Sequence, residues 1–287
     1  NTFFVKGNKV VYGPMEQSYK EFLTEMAKWY KEGLLDKNFM SVDEKALDSA
    51  VLSGSTGATV AGLGGGIGKY LGAATTKGFD LCGAKYPVLN KGDKPMFSAR
   101  QNPYPGYGAA ISKNCKKAKL AAKVLDYGYS EAGEMLNNFG IEGESYEMVD
   151  GYPTFTELIT KNPDGLAMAN IMSKYVRSNW MGGFVQDKRY IEQYSSLPQQ
   201  QEALKNWMDT DAEKYILPTL SFSSEQSSEL SEIMNTVSTY QDEQMVKFIM
   251  GSRPIDEFDD YVKDMKDMGI DRAVEIYQKA LNAYNKR

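Results

Sequence analysis

The stretch AGLGGGIGK, residues 61–69, decides between two broad readings of this chain. It places five glycines in nine positions, after the short apolar run ATVAG. Bare backbone at such a turn presents N–H groups, which is how many proteins cradle phosphate. A phosphate loop here would make the chain a nucleotide-binding α/β protein. The P-loop template needs glycine five residues before Gly68-Lys69, and that position is Leu63; Tyr70 stands where the magnesium-holding Ser or Thr belongs. The dinucleotide spacing GxGxxG fails at Ile67 in one register and at Lys69 in the other. Gly62, Gly66 and Gly68 do match the GxxxGxG spacing of short-chain dehydrogenases. Those enzymes also need Tyr-x-x-x-Lys, and no tyrosine here has lysine four residues on. The repeating strand-helix pattern of that fold is missing too. What remains is a turn whose bare backbone lets a ligand approach closely, or a flexible turn with no ligand at all.

Composition narrows the function. The 287 residues include no histidine, so Ser-His-Asp and Cys-His catalysis are excluded and the commonest metal ligand is absent. Two cysteines, Cys82 and Cys115, form no CxxC and cannot by themselves make a zinc site. No metal or organic cofactor is expected. A net charge of −5 argues against nucleic acid as a partner. No apolar run approaches the roughly 18 residues of a membrane span. Nineteen tyrosines supply amphipathic rings that suit wet clefts as well as cores. The opening NTFFVKGNKV lacks the pattern of a signal peptide and reads as a strand, so a fragment or processed form is expected.

Local patterns then predict the elements. Two apolar runs around Gly7-Asn8 read as a hairpin. Tyr19, Phe22, Leu23, Met26, Ala27 and Tyr30 form one helical stripe, which Gly33 ends; Trp29, beside it, is expected in the core. Ser41 and Glu44 match a capping box for a helix to Leu52, closed by Gly54. Residues 58–62 read as a strand and 67–74 as a helix. Prolines at 87, 95, 103 and 105 forbid a long helix, leaving a strand at 108–112. Helices follow at 116–127 and 130–138, then a hairpin turning at Asp150-Gly151. Residues 196–211 read as a helix that uses Trp207 for packing. Ser223 with Gln226 caps a long helix to about Ile249, which GSRP breaks, and residues 270–284 close the chain as an amphipathic helix.

The order of these phrases resembles the extracellular solute-binding proteins of ABC importers, in the sugar-binding, maltose-binding-protein-like group. The likeness is closest to the long lipoprotein members of Gram-positive bacteria. It rests on YGPMEQSYKEFLTEMAKWYKEGLLDKNF (12–39), LSGSTGATVAG (52–62), YGAAISKNCKKAKLAAKVLDYGYSEAG (107–133), NFGIEGESYEMVDGYPTFT (138–156) and the closing residues 248–284. The resemblance implies an α/β, periplasmic-binding-protein-like type II fold, helix-rich, with two lobes and a hinge. It further implies that most of the first lobe lies outside this chain. On that scheme residues 1–100 are part of the second lobe. Residues 101–215 return to the first lobe and carry a helical insert, and 216–287 close on the second lobe. The implied protein is monomeric, extracellular and lipid-anchored through a missing N-terminus. It delivers a carbohydrate, expected to be an oligosaccharide, to importer membrane subunits and does no covalent chemistry.

Sugar capture asks for an aromatic face and polar groups aimed at hydroxyls. Trp180, in the loop RSNWMGG, is the leading aromatic candidate, with Arg177 three residues away. Tyr104, Tyr107 and Arg100 lie at the presumed lobe crossing; an arginine fork suits hydroxyl pairs or a sugar carboxylate. In the resembled family a sugar-stacking tryptophan stands in the turn that here holds Gly64, Gly65 and Gly66, so the ligand meets bare backbone or stacking has moved. Glu142 and Tyr146 lie in the subgroup phrase and could equally fix a local turn. The pair Glu142/Glu144 raises a glycoside hydrolase as a distant alternative; a peptide or other small solute is the nearer one.

Overall fold

The computed structural model describes residues 2–97, 108–164, 166, 168–177 and 182–287. Elements run β1 (Phe3–Lys6), β2 (Lys9–Tyr12), α1 (Gln17–Glu32), α2 (Glu44–Leu52), α3 (Lys69–Ala73), α4 (Ala118–Tyr127) and α5 (Glu131–Asn138). They continue as β3 (Tyr146–Val149), β4 (Tyr152–Phe155), α6 (Glu157–Thr160), α7 (Met168–Met172), α8 (Lys188–Tyr194) and α9 (Pro198–Met208). The long α10 (Ser224–Met250), α11 (Phe258–Asp267) and α12 (Ile270–Tyr284) end the chain. It divides into two compact units: residues 1–43 with 94–97 and 210–287, and residues 44–93 with 98–209. The C-terminal helices pack on the N-terminal hairpin and α1, while residues 44–93 group with the second unit rather than with residues 1–43.

In the first unit α10 is the axis, with α1 and α12 packed on it. Ser223 Oγ accepts from Gln226 N at 3.2 Å and Gln226 Oε1 accepts from Ser223 N at 2.9 Å, the expected reciprocal cap. Gly251, at φ +77°, ends the helix in the left-handed conformation that glycine adopts without strain. Leu23, Val237, Tyr261, Met265, Ile270, Ala273 and Ile276 form the centre of its core, each at most 1% exposed. Burial of a large apolar side chain contributes about 1.5–3 kcal/mol. The hairpin is fastened across the chain: Val10 N donates to Gln278 Oε1 at 2.8 Å, and Phe3 stacks on Tyr277. Arg253 braces the turn after α10 by donating to Tyr240 Oη and Gln244 Oε1, both at 2.9 Å, with Glu257 and Asp264 as counter-charges. Tyr261 buries a phenol oxygen for which the described residues offer no partner. Burial pushes Tyr19 up to about 12 and raises Tyr261 further.

The second unit has its own cluster: Phe139, Tyr146, Phe155, Ile159, Ile171, Met172, Val176 and Tyr190. Its hairpin pairs Tyr146 with Phe155. Asp150 at φ +51° and Gly151 at φ +78° give the two left-handed residues that a tight two-residue turn requires.

Several expectations change. Among the described residues the only sheets are these two-stranded hairpins, so the architecture is helix-rich and the larger sheet of an α/β lobe is not formed. Residues 58–62 and 108–112 make no ladder, since a strand needs a partner from elsewhere in the chain. Ser41 does not cap α2. The helix begins at Glu44, and the Ser41 hydroxyl donates to Asn38 O. Trp29 is not core: it is 38% exposed and its indole N–H donates to Glu25. Trp207 packs as expected, donating to Ala84 O at 2.9 Å. Cys82 and Cys115 are both free.

Candidate functional site

The glycine run is a helix entry of an unusual kind. Leu63–Gly68 winds as a single wide π-helical turn that feeds α3 without a break. Such turns interrupt regular helices and recur at functional sites. Protein atoms explain most of the missing side chains. A Cβ on Gly64 would lie 2.3 Å from the ring of Tyr194, one on Gly66 2.3 Å from Ala61 Cβ, and one on Gly68 2.8 Å from Gln200 Nε2. Gln200, nearly fully buried on α9, donates to Leu63 O at 2.8 Å. Only Gly65, of the central three, opens on free space. The run is thus the seat on which α8 and α9 rest, with Gly62 and Gly65 left facing open space.

Lys69, the residue that a phosphate loop would use, is already engaged. Its ammonium donates to Glu44 at 3.0 Å and to Asp48 at 2.8 Å, and the Tyr70 phenol donates to the same Asp48 oxygen. The hydrogen bond to Asp48, then that to Glu44, pushes Lys69 up to about 12. Sequence reasoning saw the glycines but had no signal for Tyr194 or Gln200, which lie far along the chain, Gln200 137 residues from its partner Leu63.

A second constellation flanks residues 178–181, the segment that holds the leading aromatic candidate. Its entry is fixed where Arg177 N donates to Asn137 O at 2.8 Å. Its exit is fixed by buried Asn138, whose amide donates to Val185 O and whose Oδ1 accepts from Asp187 N, both at 2.8 Å. Gly183 O sits where a Cβ on Gly128 would reach it at 2.2 Å, so Gly183 lies against the end of α4. Asp187 caps α8 and pairs with Arg189, whose Nε and Nη2 reach Oδ2 at 2.9 and 2.5 Å. Burial pulls the Asp187 pKa upward, yet the bonds from Arg189 outweigh it and hold the carboxyl below its usual value. The Arg177 side chain is exposed. Trp180, Arg100, Tyr104 and Tyr107 fall outside the described residues.

The subgroup phrase forms a tight knot. Ser145 Oγ donates to Phe139 O at 2.7 Å and accepts from Ile141 N at 2.8 Å, while Gly140 turns at φ +89°. Glu142 is exposed on this turn and bridges in parallel to Tyr146. Tyr146 is 6% exposed, its ring 5.8 Å from Phe139, and burial, then Glu142, raises its pKa. It supports the second core and offers no open ring face. In the first unit a surface groove of about 450 Å³ lies between the ends of α1 and α10, lined by Tyr30, Lys37, Ile249 and Met250; none of the expected ligand residues lines it. Among the described residues no cluster of acidic or sulfur ligands could hold a metal ion, and no helix is long and apolar enough to cross a membrane.

No family model matches the sequence. The chain superposes on the alginate-binding protein AlgQ2 with a TM-score of 0.80 at 24% identity, covering 98% of this chain and 57% of that one. It has part of the fold of an extracellular solute-binding protein. Two further solved relatives of this fold agree. The FusA substrate-binding protein of an S. pneumoniae ABC transporter, in complex with kestose, gives 0.69 at 19% identity. A human-milk-oligosaccharide (HMO)-binding solute-binding protein from Bifidobacterium longum infantis gives 0.62 at 17%. Each is matched over 99% of this chain and 57% of its own length. In sequence, 170 residues are 26% identical to lipoprotein LipO of Bacillus subtilis, covering 56% of this chain and 32% of LipO. The chain thus matches about a third of the length of LipO and 57% of the length of each of these solved proteins.

Proposed function

We propose that this chain belongs to the substrate-capturing component of an ABC importer and that its ligand is a carbohydrate, most simply an oligosaccharide. The observation that carries the reading is the fold match over 98–99% of the chain to proteins described as binding alginate, kestose and human-milk oligosaccharides. The likeness to a lipoprotein supports a lipid-anchored protein on the outer face of the cell membrane that hands its cargo to importer membrane subunits. Capture of this kind needs no nucleophile or general base.

Within that reading Trp180 stacks on the sugar ring and Arg177 reaches its hydroxyls, carried on a loop pinned by Asn137 and Asn138. Gly65 supplies bare backbone, while Gly64 and Gly66 keep the turn closed against Tyr194 and Ala61. Tyr104, Tyr107 and Arg100 complete the polar-aromatic lining. Glu142 and Tyr146 act indirectly, by fixing the knot between α5 and β3.

The test is a thermal-shift screen of the full gene product against oligosaccharides, monosaccharides, peptides and amino acids. A ligand at 100 times its Kd stabilises by about 2.7 kcal/mol, a shift of several degrees. Stabilisation by at least one oligosaccharide is expected. Stabilisation by peptides alone would overturn the carbohydrate assignment and leave the transport class standing. Trp180→Ala should weaken the positive hit at least tenfold; unchanged affinity removes the stacking role.

A further inference from the structure

A wide turn such as Leu63–Gly68 is rare, and a side chain that enters the helix ladder is one cause of such a distortion. The register shows the opening here. In a regular helix Ile67 N would donate to Leu63 O, four residues back. Instead it donates to Gly62 O at 3.2 Å, sharing that acceptor with Gly66 N. Lys69 N likewise reaches back five residues to Gly64 O. Leu63 O thereby loses its α-helical donor.

Gln200 supplies another. Its Nε2 donates to Leu63 O at 2.8 Å, and the same nitrogen lies 2.8 Å from where a Cβ on Gly68 would stand. The amide therefore rests against the ladder beside Leu63 and Gly68, in space that a side chain at 68 would fill. Gln200 is 2% exposed, and both ends of its amide are satisfied. Its Oε1 accepts from Leu197 N at 3.1 Å, at the start of α9. A backbone N–H on one side and a carbonyl on the other fix which way the amide points. Gly68 completes the arrangement. Its φ of −62° and ψ of −44° are ordinary helical values, so glycine serves there for room and not for backbone freedom. Gly65, on the same turn, is exposed and opens on free space.

We infer that Gln200 is the positioning residue of the glycine turn. By donating to Leu63 O through the space that Gly68 leaves, it holds the wide register, and that register sets where Gly65 presents its backbone to the ligand. The inference rests on the binding role proposed above for Gly65. Gln200 is itself buried and acts only through Leu63.

Gly68→Ala tests this at little cost to the fold. The added methyl suits the helical backbone, meets the tip of a side chain and drives the amide off Leu63 O. Gln200→Met removes the donor at similar length. Gly72→Ala, whose Cβ meets nothing within 4 Å, is the control on α3. Affinity for the oligosaccharide that stabilises the full gene product most is measured by isothermal titration, beside the melting temperature and a crystal structure of the Gly68→Ala variant. The expected result is a Kd raised about tenfold or more by Gly68→Ala and by Gln200→Met, with Gly72→Ala binding like the parent. The melting temperature of Gly68→Ala should stay within a few degrees of the parent, a split between affinity and stability that a packing role would not give. Its crystal structure should show Ile67 N returned to Leu63 O. Equal affinity of Gly68→Ala and the parent would overturn the inference. So would an unchanged register in the variant, or an equal loss in Gly72→Ala. A parent that binds no oligosaccharide would overturn the proposed function instead, and the register of the variant would still decide whether Gln200 holds the turn.

Discussion

Replacing Gly66 by alanine isolates the reason for the glycine run. Its added Cβ would stand 2.3 Å from Ala61 Cβ and 3.3 Å from that residue's Cα and carbonyl carbon. Carbon atoms in contact sit at about 3.5–4.0 Å, so the overlap exceeds 1 Å. Ala61 Cβ is fixed to the main chain, and no rotamer can relieve the clash. The backbone of 61–62 must move, and Gly62 O accepts from both Gly66 N and Ile67 N, at 3.0 and 3.2 Å. Overpacking of this kind costs about 1–3 kcal/mol. Loss of conformational freedom in the unfolded chain returns about 0.4–1 kcal/mol. The net expectation is a destabilisation of about 1–2 kcal/mol in the second unit. Gly65→Ala is the internal control. Its Cβ meets nothing within 4 Å and its φ is not positive, so the unfolded-state term acts alone and stability should rise by about 0.4–1 kcal/mol. Urea unfolding followed by circular dichroism, fitted with a separate transition for each unit, supplies both numbers. The double variant Ala61→Gly/Gly66→Ala should recover most of the loss, giving a coupling energy of about 1 kcal/mol or more. If Gly66→Ala and Gly65→Ala shift the midpoint equally, or the double variant shows no coupling, the close-approach account is refuted.

Three further outcomes follow from the structure. Arg253→Ala should destabilise the first unit by about 2–4 kcal/mol, because Tyr240, Gln244, Glu257 and Asp264 all lose their common donor. Arg253→Lys should recover less than half of it in the same urea assay, since one ammonium cannot reproduce the fork. Tyr261→Phe should leave thermal stability unchanged or raise it, because it deletes a buried hydroxyl without a partner; a loss above about 1 kcal/mol would reveal a bound water there. Asp187 has a depressed folded pKa, so the stability that it contributes is fully present above the unfolded value of 3.8 and is lost as pH falls through the lower folded value. Acid unfolding of Asp187→Asn should therefore converge on the parent below that window while lying about 1–2 kcal/mol lower at pH 7.

Local signals carried the helices and the hairpins. The Ser223/Gln226 cap, Gly33, Gly251 and the Asp150-Gly151 turn each depend on residues a few positions apart, so the sequence displays them directly. The runs at 58–62 and 108–112 read as strands and make no ladder, because pairing is decided by distant chain that local patterns do not contain. Trp29 failed for a related reason: its position near the stripe of α1 is legible, but the bond to Glu25 that holds it outward is a surface choice. At the candidate site, spacing excluded two phosphate templates and missing partner residues the third, and Lys69 held by Glu44 and Asp48 agrees with that exclusion. What fills the space over the glycines, Tyr194 and Gln200, was invisible because nothing in residues 61–69 specifies who approaches.

The central claim is capture of a carbohydrate without chemistry on it. Isothermal titration of the full gene product with the oligosaccharide that stabilises it most, followed by mass analysis of the recovered sugar, tests that most directly. The account predicts saturable binding of one sugar per protein and recovery of the sugar intact. Shortened glycan in the recovered fraction, or heat released only by peptides, would contradict it.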